Sequence, residues 1–207
     1  ALLTHEPFYP PSGGGSAEAN YLVNELTRRG HEVHLFCPDF PDRDAVATRF
    51  GVTVHPFTGW EMGRYTRLRS LKYLAYPGTL RRLVRRTARD ISFDALLSQH
   101  AISAVAAGKL KVDLGVPVVM NFLDFLTGFM ESWPRWMMPR LVLRRLMAYE
   151  LSLPKRHDAD AVLTVSDELG RRFAETVNRE GAAVSQIDFV GVHREDVGFS
   201  EALLEYE

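Results

Sequence analysis

The residues that could do chemistry sit where apolar runs give way to polar ones. Gly13-Gly14-Gly15-Ser16 directly precedes an amphipathic stretch that begins near Ala17. A glycine triplet at that position lets the backbone approach a ligand and aims unpaired helix N–H groups at it. Those groups carry partial positive charge, so phosphate is the natural guest. Pro10 and Pro11 stiffen the loop on one side, and the helix fixes it on the other. His100 closes the run from Phe93 to Gln99 and offers an imidazole to a hydroxyl, or else is satisfied within the sheet edge. Asp124 follows the apolar run that ends at Asn121. A carboxylate there is costly to bury idle, so it is read as orienting a ligand hydroxyl, with Asn121 as a weaker partner. Ser166, followed by Asp167 and Glu168, reads either as a ligand contact or as an N-cap with an acidic first turn.

The elements that must hold these groups follow from periodicity. Ala19, Leu22, Val23 and Leu26 make one helical stripe, and Gly30 ends it. Strands are expected at Leu2 to His5, Val33 to Cys37, Val52 to Phe57, Phe93 to His100, Val116 to Asn121, Ala161 to Ser166 and Gln186 to Val192. Helices are expected from Ala101 to Leu114, from about Pro139 to His157 and from Asp167 to Glu180, with a polar stretch from Asp39 to Thr48. Apolar strands alternating with helices imply a parallel sheet of about seven strands covered on both faces, an α/β Rossmann-like domain. In such sheets the ligand lies at the carboxyl ends of the strands.

A chain of 207 residues, 46% hydrophobic, supports one good core, so residues 1–207 are read as one domain. A formal charge of −1 gives no global reason for nucleic acid as a partner. The single cysteine, Cys37, and the helix–strand alternation point to a cytoplasmic protein. No apolar run is long enough to span a bilayer.

Between Trp60 and Asp90 the composition changes. Basic residues from Arg64 to Arg89 are opposed only by Glu61 and Asp90, are interleaved with aromatics, and are split by Pro77-Gly78 into two expected helices. Arg81, Arg82, Arg85 and Arg86 suit an anionic membrane surface, which would make the protein peripheral at the inner face of the membrane. Arg135, Arg140, Arg144 and Arg145, with Trp133, Trp136, Met137 and Met138, form a second such region. The plainer reading is that these arginines cover ordinary amphipathic helices.

His5-Glu6-Pro7 through Gly13-Gly14-Gly15, then Leu26-Thr27-Arg28-Arg29-Gly30-His31-Glu32-Val33, Asp94 to His100, Val116-Pro117-Val118-Val119 and Asp158 to Ser166 occur in one order. That order resembles the N-terminal half of GT-B glycosyltransferases, in particular retaining family four, over Leu2 to about Val192. The resemblance implies a Rossmann-like acceptor-binding domain whose glycine loop, Gly13, Gly14, Gly15 and Ser16, lies near the diphosphate of a nucleotide-sugar donor. The transfer it implies, to a sugar or lipid-linked acceptor, needs no metal; the residues themselves offer His100 and Asp124 for catalysis and Asn121, Trp133 and Ser166 for acceptor binding. It also implies a second, nucleotide-sugar-binding domain that this chain lacks, without which it should not turn over. Two positions depart from the family pattern. Leu123-Asp124 stands where a His-Asp pair is usual, and Val190-Gly191-Val192-His193 where N-G-V-D is typical.

Other classes fit less well. A nicotinamide-dependent oxidoreductase would explain the opening strand–helix–strand unit, but its Gly-x-Gly-x-x-Gly fingerprint on a tight turn is missing. His31 and His34 fall on opposite faces of a strand, which removes a metal reading. No Gly-x-Ser-x-Gly elbow marks a hydrolase. A stand-alone module that binds sugar, nucleotide or membrane without chemistry is the non-enzymatic alternative.

Overall fold

The structure, a computed structural model, describes residues 1–11, 13–59, 71–125, 127, 136, 138–179 and 188–191. Seven strands form one parallel sheet: β1 (Leu2–Leu3), β2 (His34–Pro38), β3 (Thr53–Phe57), β4 (Leu96–Gln99), β5 (Val118–Phe122), β6 (Ala161–Thr164) and β7 (Asp188–Gly191). Their spatial order is β3-β2-β1-β4-β5-β6-β7. The chain therefore builds outward from β1 to one edge, then returns to β4 and builds to the other. That reversal leaves a crevice at the carboxyl ends of β1 and β4, where open α/β sheets take their ligands.

Neighbouring residues of one strand supply opposite faces, as the strand period requires. Leu2, Leu35 and Cys37 pack with Ala19 and Val23 of α1 (Gly14–Arg28) and Val46 of α2 (Arg43–Phe50). Leu3 and Phe36 pack on the other side with Tyr76, Leu80 and Val84 of α3 (Leu71–Thr87) and with Ala104, Ala107 and Leu110 of α4 (His100–Leu114). Helices α5 (Arg140–Leu151), α6 (Leu153–Arg156) and α7 (Asp167–Arg179) complete the covering.

Four local expectations are corrected. Helix α1 begins at Gly14, so two of the three glycines lie inside its first turn. Helix α2 replaces much of the polar stretch after Asp39, ending on Gly51 in the left-handed conformation. Helix α3 runs through Pro77 without a break. Tyr76, Leu80 and Val84, spaced four apart and buried, hold it against the sheet and outweigh the hydrogen bond that proline forfeits. The long helix expected from Pro139 to His157 stops at Ser152, and Pro154 opens the short α6.

Candidate functional site

The segment between β1 and α1 is anchored before it reaches the glycines. Phe8 is fully buried against Phe40 and Phe50, and Asn20 of α1 donates its amide to Phe8 O at 2.6 Å and Ser16 O at 2.7 Å. Ser16 caps the helix from inside. Its hydroxyl donates to Gly13 O at 3.0 Å and accepts from Gly13 N at 3.1 Å. Among the described residues, a Cβ at Gly13 or Gly14 would meet open space. Gly15 differs, because a Cβ there would collide with Glu6 Oε2 and lie 2.8 Å from His100 Nε2.

His100 enters from the other side of the crevice. Strand β4 passes directly into α4 at this residue, with φ 62°, and the turn buries the imidazole. Its Nε2 has no hydrogen-bond partner among the described residues. The ring meets His5 edge-on at 5.4 Å between centroids, and Nδ1 lies 3.5 Å from Asp124 Oδ1. Burial disfavours the imidazolium, but the carboxylates of Asp124, Glu6 and Glu18 outweigh it and raise the histidine above its usual value. His100 in turn holds the Asp124 carboxyl below its ordinary range, against the opposing effect of partial burial. Position 123 is a leucine, so the imidazole beside the Asp124 carboxylate comes from the end of β4.

Beneath these groups lies a buried polar network. Gln99 Nε2 donates to Gly15 O at 2.7 Å and to Glu18 Oε2 at 2.9 Å, while Asn121 Nδ2 donates to Glu18 Oε1 at 2.9 Å. Burial raises Glu18 above the usual carboxyl value, and the Asn121 and Gln99 amides and the charge of His100 only partly offset it. The network ties the first turns of α1 to the ends of β4 and β5 and so fixes the glycine turn relative to His100.

The structure therefore gathers Gly13, Gly14, Gly15, Ser16, His100, Asn121 and Asp124 at one crevice. Asn121 is buried, with its N–H committed to Glu18. Ser166 stands apart at the end of β6, where its hydroxyl accepts from Leu169 N at 3.3 Å and caps α7. Trp133 lies outside the described residues, as do residues 60–70, Arg135, Met137 and the Val192-His193 pair. Sequence reasoning assigned no site role to His5, Glu6, Glu18 or Gln99. Glu6 and Gln99 carry a readable signal, being polar residues just beyond or at the end of β1 and β4. Glu18 carries none, since an acidic residue early in a helix is ordinary.

Among the described residues no three histidine, cysteine or acidic side chains are placed to hold a metal ion. On the basic helix α3, Arg81 makes a two-point ion pair with Asp113 at 2.7 and 2.8 Å, while Arg82, Arg85 and Arg86 are exposed. No described helix is long and apolar enough to cross a membrane.

Several solved structures share this fold. HepE from Anabaena, in complex with UDP and glucose, is 16% identical over 92% of this chain and 43% of its own, with a TM-score of 0.54. Apo UGT2 from Phytolacca americana is 14% identical over 99% of this chain and 54% of its own, at 0.57. UDP-GlcNAc 2-epimerase from Neisseria meningitidis, bound to UDP-GlcNAc, is 12% identical over 92% and 46%, at 0.51. At these identities the likeness is one of fold, and the chain spans roughly half the length of each. No curated protein matches it. Residues 13–187 match the glycosyl transferase 4-like domain, and with the crevice and sheet order described above the chain belongs to that family.

Proposed function

We propose that this chain is the acceptor-binding half of a retaining, metal-independent glycosyltransferase that uses a nucleotide-sugar donor and a lipid-linked or membrane-borne acceptor. The observation that carries the reading is the pairing, across Gly15, of the helix N-terminus at Gly13 and Gly14 with the buried Nε2 of His100, which has no hydrogen-bond partner among the described residues. As the sugar–phosphate bond breaks, negative charge grows on the leaving diphosphate. Backbone N–H groups and a protonated imidazole stabilise that charge without reorganising. Asp124 favours the charged form of His100 and, being largely exposed itself, is free to accept a hydrogen bond from an acceptor hydroxyl. The donor's nucleoside would be held by a second domain, as the relatives' greater length suggests, so turnover requires that domain.

The test is sugar transfer from a panel of nucleotide sugars by the protein that carries this domain. His100→Gln should lower kcat/KM about a hundredfold, the usual cost of one charge-stabilising donor. Asp124→Asn should lower kcat mainly with poor acceptors. Undiminished transfer in both variants would remove this crevice from the reaction.

A further inference from the structure

Helix α5 touches the domain along one narrow edge. Glu150 is its only fully buried residue, with Leu143, Met147 and Leu151 half-buried beside it. The opposite face carries Leu141, Val142, Arg145, Leu146 and Tyr149, all exposed, at the spacing i, i+1, i+4, i+5 and i+8 of one helical stripe. Leu141 is 63% exposed, and Trp136, just before the helix, 74%. Arg140 and Arg144 are also exposed. Glu150, the one acidic residue of α5, is turned inward, where Thr127 donates to it through N–H at 3.1 Å and hydroxyl at 2.9 Å.

The exposed surface of α5 is therefore apolar and cationic only. The arginines of α1 and α7 are laced to carboxylates of their own helices, but among the described residues no carboxylate pairs with Arg140, Arg144 or Arg145. At the far end of the stripe Arg156 stacks over the Tyr149 ring at 5.3 Å and adds another cation. Apolar side chains set among unpaired guanidinium groups match a surface that offers phosphates above and hydrocarbon below. We infer that α5 docks on an anionic bilayer, with Leu141, Val142, Leu146 and Tyr149 entering the boundary of headgroup and acyl chain and Arg140, Arg144 and Arg145 on lipid phosphates. Helix α3, although more basic, exposes Leu74 as its one large apolar side chain among the described residues, because Tyr76, Leu80 and Val84 are spent on the core and Arg81 on Asp113. The inference deepens the reading of a membrane-borne acceptor. Its readout is lipid binding, so failure of sugar transfer would leave it standing.

Flotation with vesicles tests it, using phosphatidylcholine alone and equal parts of phosphatidylcholine and phosphatidylglycerol. The protein should bind only the anionic vesicles, and less as salt rises. Arg140→Gln/Arg144→Gln/Arg145→Gln should weaken binding on the order of a hundredfold. Leu141→Ser/Leu146→Ser should weaken it at least about tenfold. Both variants alter exposed positions, and unchanged circular dichroism confirms folding. Arg82→Gln/Arg86→Gln should bind as the parent does. Equal binding to both vesicle types, no binding, or loss in the α3 variant alone would overturn the assignment. So would a concentration-dependent dimer abolished by Leu141→Ser/Leu146→Ser, which would give the face to a second copy.

Discussion

Alanine at Gly15 and alanine at Gly14 should act in opposite directions although the two residues are neighbours in one helical turn. Both lie in the first turn of α1, and neither has a positive φ. Removing glycine's unfolded-state freedom favours alanine at either position by about 0.4–1 kcal/mol. At Gly14 nothing opposes that gain, since a Cβ meets open space. At Gly15 the Cβ displaces Glu6 Oε2 and presses on His100 Nε2. Overpacking of this kind costs about 1–3 kcal/mol, so the two variants should differ by roughly 2 kcal/mol. For a domain of this size that is a gap of about 4–8 °C in Tm, with Gly14→Ala the higher. Thermal unfolding followed by circular dichroism measures it. A second readout follows from the electrostatics. Moving the Glu6 carboxylate away in Gly15→Ala removes part of what holds His100 up, so its titration should shift down. Equal Tm values and an unmoved His100 would show that Gly15 is not the packed floor of the crevice.

Three more outcomes are expected. NMR titration of the histidine rings should find His100 above the ordinary value of about 6.5 and His55 and His157 below it, lowered first by burial and then by neighbouring cations or, for His55, by His34. The stability signs are opposite. The contribution of His100 is complete below about pH 6.5 and fades as pH rises through its folded value, whereas His55 and His157 cost stability as pH falls below about 6.5. A His100→Gln variant compared with the parent across pH should show its deficit shrinking toward alkaline pH. Gly108→Ala should lose about 3 kcal/mol in urea unfolding, because a Cβ there would occupy the place of His157 Cβ and Cγ at the contact of α4 with the end of α6. Glu150→Ala should cost about 1–3 kcal/mol in the same assay by leaving the Thr127 donors unpaired.

The strands were legible because a sheet covered on both faces demands short apolar runs, and Leu96-Leu97 or Ala161-Val162-Leu163, each closed by polar residues, offer them. The strand ends were legible for the same reason, as the first polar residue after such a run must face the crevice. Helix α2 was not, since it buries only Val46 and its other residues read as loop. Pro77 misled because a local rule was applied where tertiary packing decides. The network around Glu18 could not be read either. It joins residues 18, 99 and 121, and only the sheet order that places β4 and β5 beside α1 brings them within hydrogen-bond reach.

The left-handed backbone at His100 bears on how this domain would change under selection. A non-glycine residue held at φ 62° carries a conformational cost of about 1–2 kcal/mol, which glycine would relieve. Glycine would also forfeit the pairing of the ring with Asp124, so relief of strain favours losing the imidazole only at alkaline pH, where that pairing has faded. A lineage that keeps histidine there, at the hinge between β4 and α4, is trading robustness at such pH for what the ring does.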